Sequence, residues 1–109
     1  EKPIYWVGTS YQDLLNFPDY VKREAGYQLH RVQNGLEPDD WKPFKRIGSG
    51  GKEIRIRSKN NMFRIIYIAK FAERIYILHA FQKKSRKTDE NDIKIAKVRY
   101  KAIVNEVKL

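Results

Sequence analysis

The chain has 109 residues, no cysteine and a formal net charge of +10 at pH 7. This length fits one domain, residues 1–109, and the lack of cysteine excludes disulfides and thiolate metal sites, so we expect a protein of the reducing cytoplasm. No apolar run has the length of a membrane span, so we expect no membrane partner.

The positive charge is concentrated in the second half of the chain. Residues 1–50 carry seven Lys and Arg against seven Asp and Glu, whereas residues 51–109 carry sixteen against six, a difference of 16 − 6 = +10. So uneven a field attracts polyanions, which are most simply nucleic acid or an acidic protein. The alternative is that the positive charge only keeps the protein soluble and has no polyanionic partner.

In chain order, the first part of the sequence predicts a strand and a helical hairpin. Residues 4–7 are a short apolar run that predicts a strand, and a short helix through residues 14 and 15 follows. A longer helix is predicted from Pro18 to the Asn-Gly pair at 34–35. Its apolar residues recur at helical spacing: Val21, Ala25, Leu29 and Val32. Residues 36–51 contain two prolines and end in Gly-Ser-Gly-Gly, so they are predicted to be a loop.

The centre of the chain predicts three antiparallel strands joined in a meander. Residues 53–57 alternate charged and apolar side chains, and residues 58–61 have the composition of a turn. Residues 62–71 are rich in β-branched and aromatic side chains, which favour a second strand. A two-residue turn at 72–73 then leads to a third strand over residues 74–82.

The two turns predict which side chains share a face of this sheet. A symmetric first turn places Arg55 opposite Arg64 and Arg57 opposite Met62, and a symmetric second turn places Arg64 opposite Phe81. Ile66 then lies opposite His79, and Met62 opposite Lys83. One face therefore collects Arg55, Arg57, Arg64, His79, Phe81 and Lys83. The other face is predicted to be core: Ile54, Ile56, Phe63, Ile65, Tyr67, Tyr76, Leu78 and Ala80. A β-bulge in either hairpin would reverse part of this assignment.

The last part of the chain predicts a basic turn and a helix. Lys83, Lys84, Arg86 and Lys87 form the basic turn, and Thr88 is the predicted N-cap. The helix carries one apolar stripe that we expect to be core: Ile93, Ala96, Tyr100, Ile103 and Val107.

The charges on the predicted basic face suit RNA chemistry without a cofactor or metal. Arginine binds phosphate with two hydrogen bonds, Phe81 offers a ring on which a base can stack, and cations stabilise a pentacoordinate phosphate. The matching reaction is attack of the RNA's own 2′-hydroxyl on the adjacent phosphate. His79 is the first candidate for proton transfer because histidine titrates near neutrality. A packing role for His79 is the alternative, and Lys83 is a second candidate if neighbouring cations lower its pKa.

The order of elements resembles the RelE/ParE superfamily of bacterial toxins. EIRIR at residues 53–57, FRIIYIAKF at 63–71, LHAFQKK at 78–84 and LEPDDWKPF at 36–44 resemble its phage-derived HigB-type branch. The resemblance implies an α+β domain with a RelE-like microbial ribonuclease fold. It also implies the toxin of a type II toxin–antitoxin pair, which cleaves mRNA on the ribosome. Its implied partner is a protein antitoxin, in this branch often a helix-turn-helix protein.

Carried over by position, the resemblance implies a catalytic Arg64 and Lys83, with Arg55 and Arg57 as phosphate-binding residues. We add Lys84 and Arg86 to the phosphate-binding set because they belong to the adjoining basic turn. Glu53 departs from the family pattern, since it stands where the first basic residue of the strand is expected. The tyrosine that many RelE-like toxins carry near the start of the last helix also has no counterpart in residues 88–92.

Two other functions remain open for this sequence. A ParE-like toxin shares the fold but inhibits DNA gyrase by protein binding, and a third possibility is a non-catalytic RNA-binding module. The four basic residues Arg55, Arg57, Arg64 and Lys83 favour the nuclease.

Overall fold

The computed structural model describes residues 1–108, in which five strands form one mixed sheet. The strands are β1 (Ile4–Trp6), β2 (Trp41–Pro43), β3 (Gly51–Ser58), β4 (Asn61–Ile68) and β5 (Ile75–Lys83). The helices are α1 (Ser10–Leu15), α2 (Asp19–Gln33) and α3 (Glu90–Lys108), with one turn of 3-10 helix at Lys45–Ile47. The strand order is β1-β5-β4-β3-β2, with β1 parallel to β5 and every other pair antiparallel. The predicted α+β architecture is therefore confirmed.

One face of the sheet, which we call the hairpin face, is covered by α1 and α2. Val21, Ala25, Leu29 and Val32 of α2 are buried there, as their helical spacing predicts. The sheet contributes a set of apolar side chains: Ile54, Ile56, Phe63, Ile65, Tyr67, Ile75, Ile77 and Ala80. This face is the larger of the two apolar cores.

The opposite face, which we call the α3 face, is apolar at one end only. There α3 packs on β5 and on the 3-10 helix, and it buries Ala96, Tyr100 and Ile103. Sheet residues in this second core are Ile66, Ile68, Tyr76, Leu78 and Phe81. Of the predicted helical stripe, Val107 is the exception, because it is 43% exposed.

The predicted strand register is confirmed, and one bulge corrects the predicted faces. Arg55 pairs with Arg64, Met62 with Lys83, and Ile66 with His79. The register then shifts, because the next residue, Tyr67, pairs with Ile77 and leaves Leu78 as an extra residue. The prediction that Tyr76 and Leu78 lie on the hairpin face was therefore wrong.

The connection between β4 and β5 is longer than the predicted two-residue turn. β4 ends at Ile68 rather than at residue 71, and residues 69–74 form the link. The Lys2 ammonium donates hydrogen bonds to the carbonyls of Ala69 and Phe71 at 2.9 and 2.7 Å. These carbonyls bond to a side chain instead of continuing the ladder, and the Phe71 ring lies edge-on to Tyr76.

Two further boundaries differ from the sequence prediction. β2 forms inside the predicted loop, at the edge of the sheet. Pro43 has no backbone N–H to donate, and an edge strand tolerates this because one of its sides has no neighbouring strand. α3 begins at Glu90, and its cap is Asp89 rather than the predicted Thr88. The Asp89 carboxylate accepts a hydrogen bond from the Asn91 N–H at 2.7 Å.

Candidate functional site

Strand register arranges the polar residues of the α3 face in three rows. Directly paired residues point to the same side of a sheet, so each row crosses neighbouring strands. The first row is Lys42, Glu53, Ile66 and His79; the second is Arg55, Arg64 and Phe81; the third is Arg57, Met62 and Lys83. All six residues predicted to share this face lie in these rows.

Arg64, the predicted catalytic arginine, is buried beside an acid. It is 5% exposed, and its Nη1 lies 2.5 Å from Oε1 of Glu53, which is itself fully buried. Lys42 approaches the same oxygen at 3.4 Å. Arg64 Nε and Glu53 Oε2 have no hydrogen-bond partner among residues 1–108. A buried guanidinium without a counter-charge would be strongly unfavourable, so Glu53 stabilises the position of Arg64.

Arg55 lies directly opposite Arg64 but is held by a different acid. Its Nε and Nη2 lie 2.8 and 2.7 Å from Oδ1 of Asp40, and its N–H donates to the Asp40 carbonyl at 2.9 Å. This pair is largely open to solvent, with the Asp40 side chain 51% exposed. Arg55 is thus anchored towards the β2 edge of the sheet.

A shallow cavity of about 430 Å³, which we call the cationic cavity, opens at the third row. Its lining residues come from β3, the turn after it, β4, β5 and the segment after β5. Five carry positive charge: Arg57, Arg64, Lys83, Lys84 and Arg86. The other three, Asn60, Met62 and Ser85, are neutral. The charge of this lining is complementary to anions, and guanidinium and ammonium donors match the oxygens of a phosphate group.

Lys83 lies in surroundings that make its charged form less favourable than it is in water. Partial burial lowers the pKa of its ammonium group, and the nearby cations Arg64, Lys42 and Arg55 lower it further. Glu53 opposes them and raises the pKa. A lysine with a lowered pKa exchanges protons more readily near neutral pH.

His79 and Phe81 lie outside the cationic cavity. The His79 Nε2 lies 2.7 Å from Oδ1 of Asp92 in the first turn of α3, and the ring is 5% exposed. Phe81 stacks on this imidazole, with ring centroids 5.0 Å apart and ring planes 20° from parallel. The structure therefore places these two predicted site residues against each other and under α3.

The structure places three further acids at this site: Glu53, Asp40 and Asp92. Glu53 carried a signal, because the alternation of residues 53–57 puts an acid on the same face as two arginines. Asp40 precedes β2, a strand that the two nearby prolines concealed. Asp92 lies in the first turn of α3, where acids are common for a reason unrelated to His79, namely the helix dipole.

Two general properties of the described residues bear on the class of protein. In residues 1–108, no helix has both the length and the apolar character needed to cross a membrane. The same part of the chain holds no group of three or more His, Asp or Glu side chains arranged to bind a metal ion.

Fold and site together define a small α+β protein with a positively charged cavity on one sheet face. The chain belongs to the family described as Phage derived protein Gp49-like (DUF891), whose model matches residues 12–101. This family groups with the RelE/HigB-like toxins of toxin–antitoxin systems. No match was found among curated proteins. The matched span runs from α1 into α3 and includes every residue of the cationic cavity.

Proposed function

We propose that this protein is the toxin of a type II toxin–antitoxin pair and acts as an endoribonuclease on ribosome-bound mRNA in the cytoplasm. The observation that carries this proposal is the cationic cavity, in which five positive side chains converge on a space large enough for a phosphodiester. A cognate protein antitoxin, of the helix-turn-helix kind that the family resemblance implies, would neutralise it.

The proposed reaction is attack by the RNA's 2′-hydroxyl oxygen on the adjacent phosphorus. The 2′-oxygen loses its proton as the new bond forms, the bond from phosphorus to the 5′-oxygen breaks, and the 5′-oxygen takes a proton. The products are a 2′,3′-cyclic phosphate and a 5′-hydroxyl end. The phosphorus carries extra negative charge in between, so fixed cations accelerate this step.

Each cavity side chain has a role that its position supports. Arg64 donates to Glu53 through Nη1, so Nη2 remains to bond a phosphate oxygen at the base of the cavity. Arg57, Lys84 and Arg86 are exposed and neutralise the phosphates of the bound strand. Lys83 in its neutral form accepts the 2′-hydroxyl proton. We assign this transfer to Lys83 rather than His79, because the His79 ring contacts Asp92 and lies outside the cavity lining.

The structure changes the choice of variant that tests this function. Arg64→Ala would leave Glu53 buried without its counter-charge, so loss of folding would imitate loss of activity. Lys83→Met removes a half-buried cavity side chain that is not paired with an acid among the described residues. Lys97→Gln on the exposed side of α3 removes the same charge outside the cavity and serves as the matched control.

We expect induced wild-type protein to arrest translation and to leave cleaved transcripts, mapped by primer extension. Lys83→Met should lower cleavage by about 100-fold, as loss of a general base does, whereas Lys97→Gln should cleave as wild type. Intact transcripts together with gyrase-dependent DNA breaks would replace the nuclease with a ParE-like inhibitor. Protection of bound RNA without cleavage would indicate an RNA-binding module.

A further inference from the structure

Arg55 and Arg64 are two positively charged residues that the strand register places side by side. They occupy directly opposed positions on β3 and β4, where equal charges destabilise a sheet. Each guanidinium contacts its own carboxylate, Arg64 that of Glu53 and Arg55 that of Asp40. The two acids therefore hold the two arginines apart.

The two pairs differ in geometry and burial. Asp40 receives two nitrogens of Arg55 at 2.8 and 2.7 Å in an exposed position. Glu53 receives a single nitrogen of Arg64, and both side chains are almost fully buried, at 1% and 6% exposure. A single buried contact of this kind fixes one end of the guanidinium and leaves the other end for a ligand.

The surroundings of Arg64 show what would happen without Glu53. The Lys42 ammonium lies 3.4 Å from the same Glu53 oxygen. Arg55 lies directly opposite Arg64 in the second row, and Lys83 lies in the adjacent third row. With Glu53 neutral, Arg64 would have no buried acid beside it, and the charged side chains Lys42, Arg55 and Lys83 on the neighbouring strands are all positive. Repulsion and the cost of burying an unpaired charge would then drive its side chain out of the cavity base towards solvent.

We infer that Glu53 is a positioning residue that holds the Arg64 guanidinium at the base of the cationic cavity with Nη2 directed to the phosphate. Its effect on turnover rests on the proposed nuclease function, whereas its effect on Arg64 does not. Glu53 itself is fully buried beneath Arg64, so it contacts the arginine and not the RNA.

A second consequence concerns Lys83, which Glu53 influences through charge. Glu53 raises the pKa of the Lys83 ammonium group against the lowering effect of burial and of Arg64. Removing the negative charge and displacing Arg64 both change the electrostatic field at Lys83, so the limb of the pH–rate profile that Lys83 causes should move from its wild-type position. A purely structural role for Glu53 would leave that limb in place.

The test compares Glu53→Gln with Glu90→Gln, since both remove one negative charge from an arginine pair and Glu90 contacts the exposed Arg46, at 3.0 Å, outside the cationic cavity. For Glu53→Gln we expect kcat to fall about 100-fold with little change in KM, the scale of a catalytic group displaced by about 1 Å. For Glu90→Gln we expect kcat to hold within about threefold, because exposed ion pairs contribute little. The Arg64 Nε–H, observed by NMR, should exchange slowly with water in wild type and rapidly in Glu53→Gln.

Glu53→Asp separates the effect of the negative charge from the effect of side-chain length. It also tests the positioning role if Glu53→Gln fails to fold. It keeps the negative charge, so the pH limb should stay in place, while the shorter side chain lowers kcat. A folded Glu53 variant with a slowly exchanging Arg64 Nε–H and wild-type kcat would overturn the inference. If wild-type protein cleaves no RNA, the proposed function fails, and the exchange rate of Arg64 still decides whether Glu53 holds it.

Discussion

The hairpin face and the α3 face are built from the same three strands but have different chemistry. On the hairpin face the central strands present an unbroken apolar surface, with Ile54 and Ile65 at zero exposure. On the α3 face apolar packing covers one end, and the other end holds a buried ion pair and the cationic cavity. The burial of apolar area that stabilises the domain therefore lies mainly on one side of the sheet.

Residues 64 and 65 of β4 show how finely the two roles are divided. Arg64 points to the α3 face and Ile65 to the hairpin face, because successive side chains of a strand alternate. The packed hairpin face thus lies one residue away from the arginine of the candidate site. Substitutions of these adjacent residues should therefore have separable effects, on stability for Ile65 and on function for Arg64.

The largest effect on stability is expected on the hairpin face, from Ile65→Ala. Ile65 is fully buried and pairs with Ile54 and Ala80, so its truncation leaves a cavity that neighbouring strands cannot fill. We expect the free energy of unfolding to fall by about 2–5 kcal/mol, measured by urea unfolding. Leu36→Ala, at a residue 51% exposed, should change it by less than about 0.5 kcal/mol. Equal losses for the two variants would mean that the hairpin face is not the main core.

A smaller effect is expected from Gly48→Ala, which tests how tightly α3 is held on its own face. The φ of Gly48 is +145°, and an added Cβ would overlap the Tyr100 ring, whose hydroxyl donates to the Ser49 carbonyl at 2.6 Å. We expect a loss of about 1–3 kcal/mol in unfolding free energy. The matched variant Gly26→Ala lies in α2 with open space around it, and it should gain about 0.5–1 kcal/mol. A neutral Gly48→Ala would show that α3 shifts freely on the sheet.

Much of the fold followed from the sequence because local patterns carried it. The alternation of residues 53–57 and the turn after it fixed the pairing of Arg55 with Arg64, and helical spacing identified the buried side of α2. The bulge at Leu78 was beyond reach, because β5 is apolar at every position from Ile75 to Leu78 and so gives no alternation to count. A fully apolar strand fits either face equally well.

The cationic residues of the site were predictable, whereas their acidic partners were not. Charge excess and register identified Arg57, Arg64 and Lys83 as neighbours, since each lies on a strand whose pairing was predicted. Asp40 and Asp92 reach the α3 face from an edge strand's flank and from a helix, and no sequence period relates them to Arg55 or His79. Such contacts depend on tertiary packing, which determines which residues of a helix or an edge strand lie beside a given residue of the sheet.

The smallest expected effect concerns Lys83 and the pH dependence of stability. The pKa of its ammonium group is lower in the folded protein than its ordinary value, chiefly through burial and then through Arg64 and Lys42. Between the folded and the ordinary pKa the unfolded chain binds more protons, so the free energy of unfolding should rise as pH increases through that window. Lys83→Met should remove this slope, measured by urea unfolding at a series of pH values.

Salt should separate the two causes of the lowered pKa at Lys83. Added salt screens the repulsion from Arg64, Lys42 and Arg55 but does not restore the water that burial removes. An NMR titration of the Lys83 Cε should therefore show the pKa rising only part of the way to its ordinary value at about 1 M salt. If the pKa of Lys83 rose all the way to its ordinary value, neighbouring charges alone would be the cause of its lowering. The third row of the α3 face would then be as open to water as the exposed pair of Arg55 and Asp40.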